Sequence, residues 1–594
     1  MEINEKLSIL RREMSERGLS AYIIPSSDFH GSEYVGEYFK AREFMSGFTG
    51  SAGTLVVTPE FAGLWTDGRY FLQAAAELAG SGIELMKLEE AGVPEIEEYL
   101  ADKLPERAVI GFDGRTVSCQ FAEKLRKKTA KKKITFAVTE DLVDIIWTNR
   151  PPLSAETVWE LAEGLADSRK DKLQRVREKL DEENCGLLLI SCLEEIAWLT
   201  NLRGGDVEST PVFLSYMLLS QNEARLYANE AIFSAGIKEK LRADGIEIRP
   251  YDDIYDAVKA ECAGKQVWAD EKRTNYRLMD ALSAAAEVTK TPDPIDLMKA
   301  IKTKNEQEGE RQAHIRDGVA VTHFIYWLKN NVAKQTITEL DGVEKLLEFR
   351  KAQKGFIEPS FATIMAYGAH GAIVHYDPSP ETNIVIEPRG LALLDSGGQY
   401  RDGTTDITRT VVVGELTEEE KRAFTLVLKS HLRLGAARFL YGCGGAVLDT
   451  LARAPFWEQG LSYKHGTGHG VGFVLSVHEG PQRINYKGSD SEVKLEVGMI
   501  TSNEPGYYVT GKFGVRHENL VVCVEDETTE YGRFLRFENL TMVPFDKEGI
   551  DVSLLDEKEK ASLNAYHRQV WEKLSPYFEG EEKDWLRAAT SAIE

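Results

Sequence analysis

Five residues able to bind metal are distributed around one glycine-rich stretch, and a fold that accounts for the chain must bring them together. The stretch is Lys464-His465-Gly466-Thr467-Gly468-His469-Gly470, with Asp395 and Asp406 upstream and Glu504 and Glu518 downstream. Four carboxylates and one imidazole suit hard or borderline divalent cations, and one carboxylate can bridge two ions. The pattern therefore points to a two-metal site for manganese or cobalt rather than a structural zinc. The chemistry it suggests is metal-assisted hydrolysis.

Each residue alone says less. In LLDSGGQYRDGTTDITRTVVV an apolar run ends at Asp395, Gly397 and Gly398 favour a turn, and a β-branched run begins near Thr405. This spacing predicts two paired strands, and taken singly both aspartates read as turn residues. ITSNEPGYYVTGKFGVRHENLVVCV repeats the pattern around Glu504 and Glu518, with Gly506, Gly511 and Gly514 as turn signals. A second hairpin with a second acid pair is expected there. His469 alone, before the apolar VGFVLSVHEG, reads as a hydrogen-bonded structural histidine. The order of all five changes these readings.

In that order the residues resemble the M24 metallopeptidases, the pita-bread fold shared by methionine aminopeptidase, prolidase and aminopeptidase P. The likeness is closest to the three-domain, cytosolic-type Xaa-Pro aminopeptidases. It extends over essentially the whole chain: SDFHGSEYV, SGFTGSAGT and WTDGRYFLQAA, then EEIAWLTNLRGGDV, then VHYDPSPETN, LLDSGGQYRDGTTDITRT, HGTGHGVGFVLSVHEGP and EPGYYVTGKFGVRHEN. The resemblance implies that Asp395, Asp406, His469, Glu504 and Glu518 are the metal ligands, with Asp406 and Glu518 bridging two divalent ions. Asp395 would complete one ion's set, and His469 with Glu504 the other. Manganese is the first expectation, with cobalt or zinc as alternatives.

Hydrolysis of an amide also needs a polarised carbonyl, a deprotonated water and a proton for the leaving nitrogen. By the same resemblance His375 and His478 line the substrate cleft, His465 helps position the peptide, and Glu504 relays the proton. Arg69, in WTDGRYF, is implied to contact peptide, across a dimer interface. The implied reaction removes the N-terminal residue from a peptide whose second residue is proline, and the implied assembly is a homodimer.

Composition agrees with a large globular enzyme. The chain has 594 residues, too many for one ordinary core, with 42% hydrophobic and 28% charged residues. Its net charge of −24 argues against a phosphate-backbone binder, and KLRKKTAKKK reads as one solvated helix face rather than a nucleic-acid patch. Six scattered cysteines without a CxxC pair argue against a disulfide framework or zinc ribbon. No run is long and apolar enough to span a membrane, and MEINEKLSILRREMSERG reads as a charged amphipathic helix without a secretory signal's apolar core. A cytoplasmic location, with no membrane or nucleic-acid partner, is the expectation.

Two early segments read as variants of one unit, each with a helix, a strand (AYIIP, LLLIS) and a β-rich return. The expected organisation is two related α/β domains, residues 1–155 and 156–305, followed by a pita-bread catalytic domain over 306–594 with a C-terminal helical extension. Asn149-Arg150-Pro151-Pro152 marks the first linker, and KAIKTKNEQEGERQAHIRDG predicts a long charged helix opening the catalytic domain.

Two other functions share this fold. Prolidase keeps the same ligands but cuts only Xaa-Pro dipeptides. A catalytically dead pita-bread binding module would have lost ligands, and here all five are present. Three positions depart from the commonest family pattern: His370 where asparagine is usual, Asn503 where aspartate is frequent, and His517 where an aliphatic residue is usual.

Overall fold

The computed structural model describes residues 1–488 and 493–594. In the first compact unit, Met1–Glu160 with Asp167–Asp296, one α/β plan occurs twice. Helix α1 (Ile3–Glu16) buries Leu7, Leu10 and Met14, whose spacing puts them on one face. Gly18, at φ 67°, then turns the chain into strand β1 (Ala21–Pro25). With β2 (Thr54–Val57), β3 (Ala62–Thr66), β4 (Glu84–Lys87), β5 (Val109–Phe112) and β6 (Thr135–Ala137), it forms a sheet in the order β4-β3-β2-β1-β5-β6.

The second copy starts with α2 (Arg169–Glu182), N-capped by Ser168 and burying Leu173, Val176 and Leu180 at the intervals seen in α1. It leads into β7 (Leu187–Ile190), joined by β8 (Ser215–Ser220), β9 (Ala224–Ala228), β10 (Ile246–Arg249), β11 (Gln266–Ala269) and β12 (Glu287–Thr289). The order β10-β9-β8-β7-β11-β12 is the same permutation. In both sheets the central strand is antiparallel to one neighbour and parallel to the other. The basic run lies on the exposed side of a helix, where Lys124 and Lys128 pair with Glu97 and Glu98. All six cysteines are free thiols.

The second unit, Leu161–Ala166 with Leu297–Glu594, opens on α3 (Lys304–Asn331), capped by reciprocal hydrogen bonds between Thr303 and Glu306. Its charges are not all solvated: Glu306, Glu310 and Asp317 are buried, with His314. Asp317 accepts from Arg350 of α4 (Glu339–Lys351) at 2.7 and 3.0 Å, and from Tyr400 and Thr405 at 2.8 Å each. Arg350 also donates to Ser396 at 3.1 Å. Glu310 accepts the Thr404 amide at 3.2 Å. A buried ion pair thus grips Ser396 and Thr405, the neighbours of Asp395 and Asp406.

The strands so gripped are β14 (Leu391–Ser396) and β17 (Ile407–Val412), which pair with each other while β13 (Ile364–Tyr367) pairs with β14. Between them β15 (Gly398–Tyr400) and β16 (Gly403–Thr404) form a hairpin turning at Arg401 and Asp402. Gly397 is therefore not the turn that the sequence pattern predicts. A Cβ on it would lie 2.0 Å from the Thr405 carbonyl oxygen, so glycine there permits a close approach. Farther on come β18 (Gly468–His469), β19 (Ile500–Asn503), β20 (Gly506–Val509), β21 (Phe513–Arg516), β22 (Asn519–Thr529) and β23 (Gly532–Asn539). In the β20–β21 hairpin only Gly511 sits in the turn, at φ 75°. Gly514 instead passes against Gly371, whose carbonyl oxygen a Cβ would meet at 1.7 Å.

Helix α5 (Glu418–Gly435) and α6 (Glu557–Leu574), the first of two helices at the C-terminal end, close the core behind these strands, burying Phe424, Val427, Leu563, Tyr566, Val570 and Leu574 in one cluster. The buried Arg409 links α6 to the strands, donating to Tyr566 Oη at 2.8 Å, to the Glu518 carbonyl at 2.6 Å and to the Thr408 carbonyl at 2.8 Å. Among the described residues, no helix is long and apolar enough to cross a membrane.

His567 on α6 accepts the Phe545 amide at 3.1 Å through Nε2. Burial, reinforced by the Lys547 and Arg409 charges, pushes it down to about 3. The unfolded chain binds this proton below about pH 6.5 and the folded one does not, so stability is present above that pH and is lost on acidification. His567→Gln should keep an acceptor while removing the effect. As pH falls from 6.5 towards 4, the wild type should lose stability relative to the variant by roughly 1.4 kcal/mol per unit, measured by urea denaturation. Parallel pH profiles would contradict this assignment.

Candidate metal centre

The four acids stand at strand ends. Asp395 lies in β14 opposite Thr408, Asp406 immediately precedes β17, Glu504 follows β19, and Glu518 falls between β21 and β22. Strand alternation then sorts their neighbours. Thr408, Ser502 and Arg516 share a side with the acids, whereas Arg409, Asn503 and His517 face away. The structure brings the ligand atoms of Asp395, Asp406 and Glu518 within 4.8 Å of one another, and likewise those of His469, Glu504 and Glu518. A third group within the same limit is Asp406, His469 and His478.

His469 Nδ1 is 2.9 Å from the Gly470 carbonyl. A carbonyl only accepts, so Nδ1 carries a proton and Nε2 is the ring nitrogen turned towards the acids. That Nε2 lies 3.4 Å from Asp406 and 3.7 Å from Glu504. Thr408 Oγ1 donates to Glu518 Oε2 at 2.8 Å. Arg516 donates to Asp395 Oδ2 at 2.5 and 3.1 Å, and also to Tyr508 Oη at 2.8 Å and the Val374 carbonyl at 3.3 Å. Tyr508 Oη is 2.9 Å from His465 Nε2, and His465 Nδ1 donates to the Gly466 carbonyl at 2.7 Å. A chain of contacts therefore runs Asp395, Arg516, Tyr508, His465.

Electrostatics give these residues a reason to hold cations. Burial first, then the Asp395 and Glu504 charges, pushes Asp406 well above the usual carboxylate range. Burial with Asp406 and Asp395 does the same to Glu518, and burial with Glu518 raises Glu504 to about 7. Asp395 Oδ1 and Glu518 Oε1 are buried without a hydrogen-bond partner among the described residues. Orphaned carboxylate oxygens and a lone imidazole nitrogen converging on one space fit divalent ions, and the oxygen-rich set suits a hard or borderline pair.

The remaining candidates are distributed more widely. His375 is half-buried and follows Val374, whose carbonyl Arg516 holds. His478 packs edge-on against His469, ring centroids 4.4 Å apart. His370 donates to the buried Glu339 at 2.9 Å, alongside Tyr376 Oη at 2.8 Å and the Tyr367 amide at 2.8 Å. Asn503 exchanges hydrogen bonds with the main chain and ring of His431 at 2.9 and 3.0 Å. His517 is fully buried between Phe424 and Phe545, and burial drives its pKa well below the ordinary value. Arg69 lies in the first unit, forked on Asp67 at 2.8 Å through both Nε and Nη2.

The sequence reading did not single out Arg516, Tyr508 or Thr408. Arg516 and Thr408 sit two residues from Glu518 and Asp406, so the period of a strand was the signal that could have found them. It also missed Val474, between the two histidines of the loop, which has φ 52°. A conformation of that kind costs a non-glycine residue about 1–3 kcal/mol and persists only where surrounding structure enforces it.

Known families match the chain in four consecutive stretches. These are the creatinase/prolidase N-terminal domain over residues 6–146 and again over 149–306, metallopeptidase family M24 over 308–525, and the C-terminal region of peptidase M24 over 533–593. Aminopeptidase P2 of Arabidopsis thaliana is 42% identical over 98% of this chain and 88% of its own length. A probable Xaa-Pro aminopeptidase P of Pyrenophora teres f. teres is 41% identical over 100% and 93%. The solved X-prolyl aminopeptidase of Caenorhabditis elegans, described as a cytosolic enzyme with a di-nuclear active site, has a TM-score of 0.94 at 33% identity and covers both chains completely. The Xaa-Pro dipeptidase of Bacillus anthracis has a TM-score of 0.51 at 26% identity and covers 64% of this chain and 99% of its own. The chain belongs to metallopeptidase family M24 and, within it, to the Xaa-Pro aminopeptidase P group, with two creatinase-type domains ahead of the pita-bread fold.

Glu339 keeps the Tyr376 hydroxyl and the Tyr367 and Ile384 amides as donors if His370 is lost, so His370→Asn should leave metal content unchanged. It should alter kcat/KM by less than about tenfold, or ~1.4 kcal/mol. Metal analysis with steady-state kinetics checks this, and a collapse of turnover would place His370 in the catalytic machinery.

Proposed function

We propose that the chain is a dinuclear metallo-aminopeptidase that cleaves the bond between an N-terminal residue and a following proline. The observation that carries the reading is the pair of three-residue ligand groups sharing Glu518. Asp406 and Glu518 are assigned as bridging ligands, Asp395 to one ion, and His469 with Glu504 to the other. Manganese is the first assignment because oxygen donors dominate, with cobalt or zinc the alternatives. When bound, two such ions supply Lewis acidity that makes a water nucleophilic near neutral pH and takes up charge from the amide carbonyl.

The protein's own groups do the rest. Glu504, a fifth exposed in its side chain, is assigned to accept the attacking water's proton and deliver it to the proline nitrogen. His375 and His478 are assigned to peptide contacts at the scissile bond, and His465, held by Tyr508, to positioning the peptide. In the intact substrate that nitrogen carries no N–H, so the site must recognise proline by shape rather than by a hydrogen bond from it. Arg69 is the residue of the first unit assigned to peptide contact, across a dimer interface.

Whole-chain likeness to aminopeptidases, against partial likeness to a dipeptidase, favours longer substrates. The proposed assembly is a homodimer. Support comes from the helix Gly445–Trp457, where Val447, Leu451 and Trp457 are 60%, 40% and 46% exposed. The proposed location is the cytoplasm, following the Caenorhabditis elegans enzyme described as cytosolic.

Asp406→Ala or Glu518→Ala should lose metal and nearly all hydrolysis while the N-terminal domains stay folded. Full activity in either variant, or in exhaustively chelated protein, would exclude a two-metal mechanism. On manganese-loaded protein, a peptide panel differing only at the second position should show release of the first residue only before proline, identified by mass. Xaa-Pro dipeptides should be much poorer substrates than Xaa-Pro-Xaa. A dipeptide preference would instead identify a prolidase.

A further inference from the structure

His469 and His478 stand at the two feet of one loop. The Glu479 amide closes its base on the Gly470 carbonyl at 2.8 Å, and the Gly472 amide adds a rung to the Ser476 carbonyl at 2.9 Å. Ser476 Oγ donates to the His478 carbonyl at 3.1 Å, tying the second foot to the rung. At the tip is Val474, whose φ of 52° a β-branched residue rarely adopts. Left to itself, such a turn relaxes.

What holds it comes from the hairpin between Asp395 and Asp406. Gln399 Nε2 donates to the Leu475 carbonyl at 2.7 Å, and the Leu475 amide donates to Thr404 Oγ1 at 3.3 Å. Thr404 Oγ1 donates in turn to Gln399 Oε1 at 2.8 Å. Gln399 and Thr404 are fully buried, so water does not compete for these bonds. Both backbone groups of the residue after the strained valine are thus clasped by the segment that carries two of the acids.

We propose that Gln399, together with Thr404, is a positioning residue for His478. By holding Leu475 it keeps Val474 left-handed, and the loop foot bearing His478 then stays edge-on to His469, facing the metal ligands. The inference rests on the peptidase reading above.

Gln399→Met, Val474→Gly and the double variant test it through metal content and the split between kcat and KM on an Xaa-Pro-Xaa peptide. Gln399→Met should keep both ions and lose about 10- to 100-fold in kcat with KM little changed, the scale expected for a misplaced catalytic group. Glycine adopts φ > 0 without the clasp. Val474→Gly alone should therefore stay within about threefold of wild type, and the double variant should recover most of the lost kcat. Undiminished kcat in Gln399→Met, or a double variant no better than Gln399→Met, would overturn the proposal. Should Gln399→Met not fold, Thr404→Val with and without Val474→Gly makes the same comparison. A wild-type protein that binds no metal and cuts no such peptide would instead overturn the peptidase reading itself.

Discussion

Four carboxylates that repel one another are held within ligand distance in a largely buried space, and the architecture of the second unit answers to that constraint. Asp406, Glu504 and Glu518 are all driven towards protonation by burial and by one another. Arg516 donates into the cluster, and its contact there is to Asp395. A set of like charges in this state must be held in over-determined positions and neutralised, by protons or by bound cations. The over-determination is visible on every side. Strand register fixes Asp395 against Thr408, and Asp317 with Arg350 grips the residues beside the two aspartates. From behind, Arg409 ties the Glu518 carbonyl to Tyr566 of α6.

This arrangement explains why some buried groups break the ordinary rules of a core. Asp317 on α3 would be a liability alone, yet it accepts from three side chains and so stiffens the hairpin at whose ends the acids stand. The same hairpin passes order onward through Gln399 and Thr404 to the loop carrying two histidines. Rigidity thus runs from a helix–helix ion pair, through a hairpin, to the groups assigned to metal and substrate.

Much of this was legible in the sequence where period and order carry the signal. The duplicated α/β plan could be read from two helix-to-strand passages, because α1 and α2 bury apolar residues at the same intervals. Helix α6 was legible from the spacing of Leu563, Tyr566 and Val570. What escaped was information held in three dimensions. Gly397 and Gly514 look like turn residues, but the reason for glycine is another backbone passing close by. Which charges of α3 are buried was not legible, because a sequence cannot say which of them meet Arg350 or the Thr404 amide. Asn503 and His517, which stand out by departing from the family pattern, alternate to the face away from the ligands and pack around His431, Phe424 and Phe545.

In the proposed centre two ions share Asp406 and Glu518 between them. Crystals grown with manganese and measured near its absorption edge test this most directly, since anomalous scattering locates the ions independently of the protein. The account predicts two peaks about 3.5–4 Å apart, both in contact with Asp406 and Glu518, one of them also with Asp395 and the other with His469 and Glu504. A single peak, or a second ion that touches neither Asp406 nor Glu518, would contradict it.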